Sequence, residues 1–189
     1  MRQFDFLSQS AVEVAPRLLG CQLVRQIDGQ RLVGRIVETE AYDQSDAASH
    51  SYKGRTPRTE VMFGPPGHLY VYFTYGMHYC CNIVCGPAGH GSAVLIRALE
   101  PLVGQEMMSR NRRGLSGRQL TNGPAKLCQA LAIDRAWNGH DLAQSPLQLV
   151  VKPALAQTDI VQSTRIGISE AKQVPWRWYI KHNDYVSKP

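Results

Sequence analysis

Val37-Glu38-Thr39-Glu40-Ala41-Tyr42 is the stretch from which the fold is most readily read. It is rich in β-branched and aromatic residues, and side chains on a strand alternate faces with period two. Glu38, Glu40 and Tyr42 therefore share one face of a strand, and Val37, Thr39 and Ala41 share the other. Two acids and an aromatic ring stand in a row inside an apolar context. Burying such carboxylates is costly unless each is hydrogen-bonded or ion-paired, which makes at least one a candidate for chemistry rather than packing.

Working outward, residues 21–27 and 31–42 flank Asp28-Gly29, a dipeptide favoured in tight hairpin turns. Before them, residues 10–19 form a short helix ending near Gly20, with Pro16 implying a kink or a late start. After them, residues 43–68 carry Gly, Pro, Ser and Asp throughout and include His50, Arg55 and Arg58. A long irregular segment inside a compact domain is usually functional. A second hairpin follows, with residues 69–74 and 78–85 as strands and Tyr75-Gly76-Met77 at its tip. Turns normally present small polar residues, so an aromatic and a methionine there suggest a wedge aimed at something apolar, such as a base stack. Spacing alone leaves open the alternative that Tyr75 folds back onto the sheet.

Residues 93–99 form a further strand in which Arg97 alternates with apolar neighbours, so a buried acid should pair with it. Arg110, Arg112, Arg113 and Arg118 then surround a glycine-containing loop, and Pro124 opens a helix near Lys126. Exposed amides at that helix start, beside Lys126, make a phosphate contact plausible. In the last third, residues 147–152, Arg165-Ile166-Gly167-Ile168 and residues 176–180 read as strands completing a mixed sheet, with little chemistry of their own.

The expected fold is α+β: one compact domain over residues 1–189, with a mixed, mostly antiparallel sheet (a roll or open barrel), flanking helices and a protruding β-hairpin. Composition agrees. The chain has 189 residues and 21.1 kDa, enough to bury a core without staples. It is 43% hydrophobic and 19% charged, as globular proteins are. A formal charge of +6 and a pI near 9.2 favour a polyanionic partner. No apolar run approaches the roughly 20 residues of a membrane span, and the N-terminus lacks a signal-peptide core. The expectation is a cytoplasmic monomer with no membrane partner.

Cys21, Cys80, Cys81, Cys85 and Cys128 are odd in number and contain no C-x-x-C pair, which argues for a reducing compartment without disulfides. Cys81 and Cys85 lie near His78 and His90, but on a strand that interval places both thiols on one face as small buried hydrophobes. Asp46, His50, His68 and His78 match no known ligand spacing, so neither metal nor other cofactor is expected and a metal-dependent nuclease is a weak reading.

Several of these motifs, taken in order, resemble the alkyladenine (3-methyladenine) DNA glycosylase family. They are Val37 to Tyr42, the His50 segment with Thr56-Pro57-Arg58, Leu69-Tyr70-Val71-Tyr72 leading into Tyr75-Gly76-Met77, Leu95 to Pro101, and Asn122-Gly123-Pro124-Ala125-Lys126-Leu127-Cys128. The resemblance runs from Leu18-Leu19-Gly20 to Arg177-Trp178-Tyr179. The expected absence of an N-terminal extension and a loop between Tyr42 and His50 slightly shorter than in larger relatives bear on substrate range, while Trp178 stands where a smaller aromatic is common.

The resemblance implies an enzyme of base-excision repair whose partner is double-stranded DNA containing damaged purines. Glu40 would activate the hydrolytic water, with Arg97 orienting it. Tyr42, His50 and Tyr72 would surround the flipped base, and Asn82 would clash with the exocyclic amine of normal guanine. Tyr75 would fill the gap in the duplex, while Met77, Arg58 and Lys126 would contact DNA. Glu38 would be a structural partner of a neighbouring arginine. With no catalytic lysine in these motifs, the implied reaction is simple hydrolysis leaving an abasic site. A non-catalytic lesion-binding protein is the alternative.

Overall fold

A computed structural model of the chain describes residues 4–74 and 76–188. Tyr75, the expected wedge, lies outside the described residues.

Helix α1 (Ala11–Leu18) opens with a capping box: Ser10 accepts from the Glu13 amide while the Glu13 carboxylate accepts from the Ser10 amide. Pro16 is accommodated inside this short helix, and Gly20 just beyond it takes a φ of +86° that other residues rarely adopt. Strands β1 (Gln22–Ile27) and β2 (Gln30–Tyr42) follow as an antiparallel pair closed by Asp28 and Gly29, both at positive φ, the tight hairpin that dipeptide favours. Residues 43–68 are irregular apart from a short 3-10 turn at Glu60–Phe63.

The second hairpin is β3 (Leu69–Thr74) and β4 (His78–Val84), in register from Leu69 opposite Ile83 to Thr74 opposite His78. Strand β5 (Ala93–Val103) runs four residues further than its sequence pattern suggests, because it lies along nearly all of β2. Helix α2 (Gln105–Asn111), which patterning did not reveal, and α3 (Pro124–Ala130), with Pro124 at its start, come next. The chain closes with β6 (Leu147–Val150), β7 (Ile160–Ser163) and β8 (Arg177–Ile180).

These eight strands form one sheet in the order β3-β4-β5-β2-β1-β6, with β8 joining β2 and β7 joining β8, curled into a half-barrel. Every strand pair among the described residues is antiparallel, so the mixture expected from the last third does not occur there. One predicted strand is absent. Arg165-Ile166-Gly167-Ile168 is a bend, not a strand, since its backbone turns toward the middle of β2 instead of pairing with a neighbour.

Strand β2 organises everything that follows. Irregularities of register against β5 fall between Val33 and Gly34 and again between Ile36 and Thr39, and β-bulges at such places bend a strand and re-aim side chains. One face packs on α1, where the Thr39 hydroxyl donates to the Ala15 carbonyl at 2.9 Å. The opposite face is covered by the 165–169 bend and the C-terminal residues. Both faces are thus shielded, and Glu38 and Glu40 are wholly buried. The main core, from Leu7 and Leu18 through Ile36, Ile96 and Leu99 to Leu127, lies between the sheet and the helices.

Candidate active site

Two carboxylates buried side by side demand donors, and the fold supplies them from four distant segments. Arg97, reaching across from β5, places Nε 3.1 Å from Glu38 Oε1 and a terminal nitrogen 3.3 Å from Glu40 Oε1. Arg177 on β8 brings Nε to 2.7 Å from Glu38 Oε1. Ser187 donates its amide to Glu38 Oε2 at 2.7 Å and its hydroxyl to Oε1 at 2.9 Å. Glu38 is thereby consumed by structure, as its expected role as an arginine partner required.

Glu40 is held differently. The Ile166 amide donates to Oε1 at 2.8 Å, and the Tyr42 hydroxyl donates to Oε2 at 2.8 Å. A carboxylate has about four acceptor sites, so Oε2 retains capacity for one more donor. Burial works against the charge of Arg97, but Glu40 and then Glu38 more than offset it and raise the guanidinium pKa further. Burial, followed by the adjacent Glu40 charge, raises the Tyr42 phenol well above its usual value, which keeps it a proton donor to Glu40.

In front of this buried pair opens a cavity of about 580 Å³. Tyr42, His50, Arg58, Tyr72, Asn82 and Arg97 all line it, so six of the expected site residues converge on one space from four strands and a loop. Glu40 itself lies behind Tyr42, Arg97 and Ile166. His50 meets Tyr72 edge to face with centroids 4.5 Å apart, and Tyr72 stacks on Tyr70 at 5.7 Å. Such aromatic walls suit a flat ring. Asn82 spends its amide nitrogen on the Tyr70 carbonyl at 3.1 Å, which fixes the rest of its side chain at the cavity wall.

His50 is neutral at ordinary pH. Burial and then the Arg58 charge hold its imidazole down to about 4. Its Nδ1 lies 3.0 Å from the Tyr70 hydroxyl, and an Arg58 N–H points at Nε2 from 3.4 Å. Because arginine can only donate, that contact assigns the proton of the neutral ring to Nδ1.

Arg58 stands at the rim, its guanidinium 5.8 Å from the Tyr72 ring centroid. Met77 projects from the hairpin and is 71% exposed, among the most exposed large apolar side chains described. Lys126 sits in the first turn of α3, where its Nζ donates to Asn122 Oδ1 at 2.8 Å, so its charge is anchored rather than free-swinging. Pro124, two residues earlier, lines the cavity.

The last third of the chain carries more of the site than its pattern suggested. Ile166, Gly167, Ile168 and Ser169 line the cavity. The bend they form is pinned by Arg165, which makes a fully buried two-pronged ion pair with Asp46 and donates to the Ala41 carbonyl at 3.0 Å. Its guanidinium also lies 4.8 Å from the Tyr42 ring centroid and 5.3 Å from that of Trp176. Asp46, which had entered only as a conceivable metal ligand, is thus the anchor of this bend. Among the described residues no three of His, Cys, Asp and Glu cluster as a metal site would need. The readable clue to the bend was an arginine flanked by apolar residues and glycine, a pattern that also looks like a strand.

The sequence profile of the methylpurine-DNA glycosylase family matches residues 5–184. A protein of Carboxydothermus hydrogenoformans, named as a candidate 3-methyladenine DNA glycosylase, is 55% identical over 185 residues, covering 97% of each chain. One of the same description from Nitrosospira multiformis is 51% identical over 98% of this chain and 92% of its own. Another, from Methanoculleus marisnigri, is 48% identical over 97% and 96% respectively.

Proposed function

The chain belongs to the methylpurine-DNA glycosylase family, and on that premise we propose that it removes alkylated or deaminated purines from duplex DNA by hydrolysing the N-glycosidic bond. The substrates would be of the 3-methyladenine type, with hypoxanthine and 7-methylguanine as further candidates. What carries the reading is Glu40, a carboxylate tethered by Tyr42, Ile166 and Arg97 at the back of an aromatic-walled cavity wide enough for a purine.

A base inside a duplex is out of reach of any such cavity, so the damaged nucleotide has to rotate out of the stack, at a cost of roughly a few kcal/mol that a lesion reduces. The purine then lies against Tyr42, Tyr72 and His50. Arg165 covers Tyr42 from its buried side, so a ring in the cavity meets the open side. A cationic alkylated purine gains from contact with the tyrosine faces. Asn82, whose amide nitrogen donates to the Tyr70 carbonyl, would exclude the exocyclic amine of guanine.

Bond cleavage builds positive charge on the sugar, which an ionised Glu40 stabilises while it takes a proton from water. The water oxygen forms a bond to the anomeric carbon, the bond from that carbon to the purine nitrogen breaks, and the base leaves with the electron pair. The positive lesion is already a good leaving group. No lysine takes part, so the product is an abasic site without strand scission. Arg58, Lys126 and Met77 would meet the duplex around the cavity. Among the described residues the five cysteines are unpaired and buried, which supports work in a reducing compartment such as the cytoplasm, and the chain would act as a monomer.

The deciding experiment incubates the protein with duplex oligonucleotides that each carry one defined lesion and measures free base. Release of an alkylated or deaminated purine, with an alkali-labile site left behind, is the expected result. Tight lesion binding without base release would make the protein a damage sensor instead.

A further inference from the structure

Glu38 does not line the cavity, yet it accepts from two arginines and from both donors of Ser187. Arg97 is the shared element. One end of its guanidinium is on Glu38, the other is 3.3 Å from Glu40 Oε1, and its second terminal nitrogen is 3.5 Å from the Ser187 hydroxyl. A guanidinium between two buried carboxylates can pivot onto either one. If it closed fully on Glu40, it would neutralise the group and occupy the lone pairs that a water needs.

We propose that Ser187 is a positioning residue for base excision: by clamping Glu38 with its amide and hydroxyl, it holds Arg97 back from Glu40 and keeps that carboxylate open to water. The inference rests on the excision reading above and adds to it a residue far from the cavity in sequence. Glu38 Oε1 takes the hydroxyl of Ser187 together with Nε of both Arg97 and Arg177, so it is a crowded acceptor whose orientation depends on every donor. The neighbouring Val186 is buried, and the Lys188 carbonyl accepts from an Arg177 terminal nitrogen, so Ser187 is fixed on both sides. A donor held this firmly can dictate where its acceptor points.

The test is a double-mutant cycle read by single-turnover excision on a lesion duplex, with saturating enzyme, combined with nuclear magnetic resonance of the arginine Nε–H groups. Ser187→Ala should slow excision about tenfold, the worth of one hydrogen bond to a charged group, with lesion affinity unchanged within about twofold. Ser187→Thr, which keeps a hydroxyl, should recover most of the rate. In an Arg97→Ala background the Ser187→Ala penalty should vanish, because there is no guanidinium left to misplace. The Arg97 Nε–H signal should shift in Ser187→Ala and return in Ser187→Thr. An equal penalty in both backgrounds, or a rate per folded molecule unchanged by Ser187→Ala while melting temperature falls, overturns the proposal. If the unaltered protein releases no base from any lesion, the excision reading fails. The Arg97 signal then decides separately, and an unmoved signal overturns the clamp.

Discussion

The Tyr42 hydroxyl donates to Glu40 Oε2 at 2.8 Å, so a residue forming the wall of the cavity is also a ligand of the acid behind it. In the proposed reaction this contact would link recognition to chemistry through one side chain. A base stacked on Tyr42 would then help to fix the carboxylate proposed to activate water, and two substitutions separate these roles. Glu40→Gln keeps shape and removes the base and its charge. Base release should fall by about two orders of magnitude or more, while lesion-duplex affinity stays within a few-fold. Tyr42→Phe keeps the ring and removes the tether, so affinity should again hold while the single-turnover rate drops by less than in Glu40→Gln. A Glu40→Gln protein with an unaltered rate would remove Glu40 from the mechanism.

Glu38 should matter through stability. Glu38→Ala leaves Arg97 and Arg177 buried with their shared carboxylate gone, and breaking buried pairs of this kind costs about 3–5 kcal/mol. By contrast, Arg55 and Glu60 form a pair in which both side chains are more than half exposed, and Arg55→Ala should change stability by no more than about 0.5 kcal/mol. Urea unfolding of the two variants, compared at constant slope, measures the difference.

His50 should titrate far below an ordinary histidine. Its imidazole is held down to about 4, although it keeps an exposed edge and solvent softens the effect. Protonation is disfavoured in the folded chain relative to the unfolded one, so this group's contribution to stability is full above about pH 6.5 and is lost as pH falls toward about 4. Proton resonances of the His50 ring followed against pH should show the low midpoint. Burial is the larger cause, so Arg58→Ala should move the midpoint up only part of the way. A midpoint near 6.5 in the unaltered protein would refute the buried environment.

Asp46→Asn should loosen the 165–169 bend, because the two-pronged hold on Arg165 loses its charge. Hydrogen exchange at the Ile166 amide, now spent on Glu40, should accelerate, and excision should slow with it. Unchanged exchange at that amide would show that the bend is held by other contacts.

Affinity for undamaged duplex should fall steeply with added salt, as the basic side chains displace counterions from phosphates. Excision should persist in excess chelator, since the proposed steps use only Glu40 and water. Activity lost in chelator and restored by a divalent ion would revive a metal-dependent reading.

Much of this arrangement is legible in the chain itself. Period-two alternation places Glu38, Glu40 and Tyr42 on one face of β2, and all three do meet around Arg97, Ser187 and the cavity. Asp28-Gly29 announces its turn because few residues other than glycine and asparagine or aspartate accept positive φ. The buried acid partner of Arg97 follows from an arginine alternating with apolar residues. These are local facts, written in neighbours one to four positions apart.

What separates Glu38 from Glu40 is not local. The two acids have the same chemistry and the same strand face, and they differ only in which donors reach them. Glu38 receives Arg177 and Ser187, whereas Glu40 receives Tyr42 and the amide of Ile166, and all but Tyr42 come from more than 120 positions away. The bend at Ile166 reads as a strand because Arg165-Ile166-Gly167-Ile168 has strand-like composition, and only a tertiary carboxylate reveals where its backbone N–H is spent. Sequence alone determined that a carboxylate pair and an aromatic ring would stand together on a buried strand. Tertiary structure decided which carboxylate is locked and which is left with a free lone pair, because buried charges are defined by their partners, and chain folding chooses the partners.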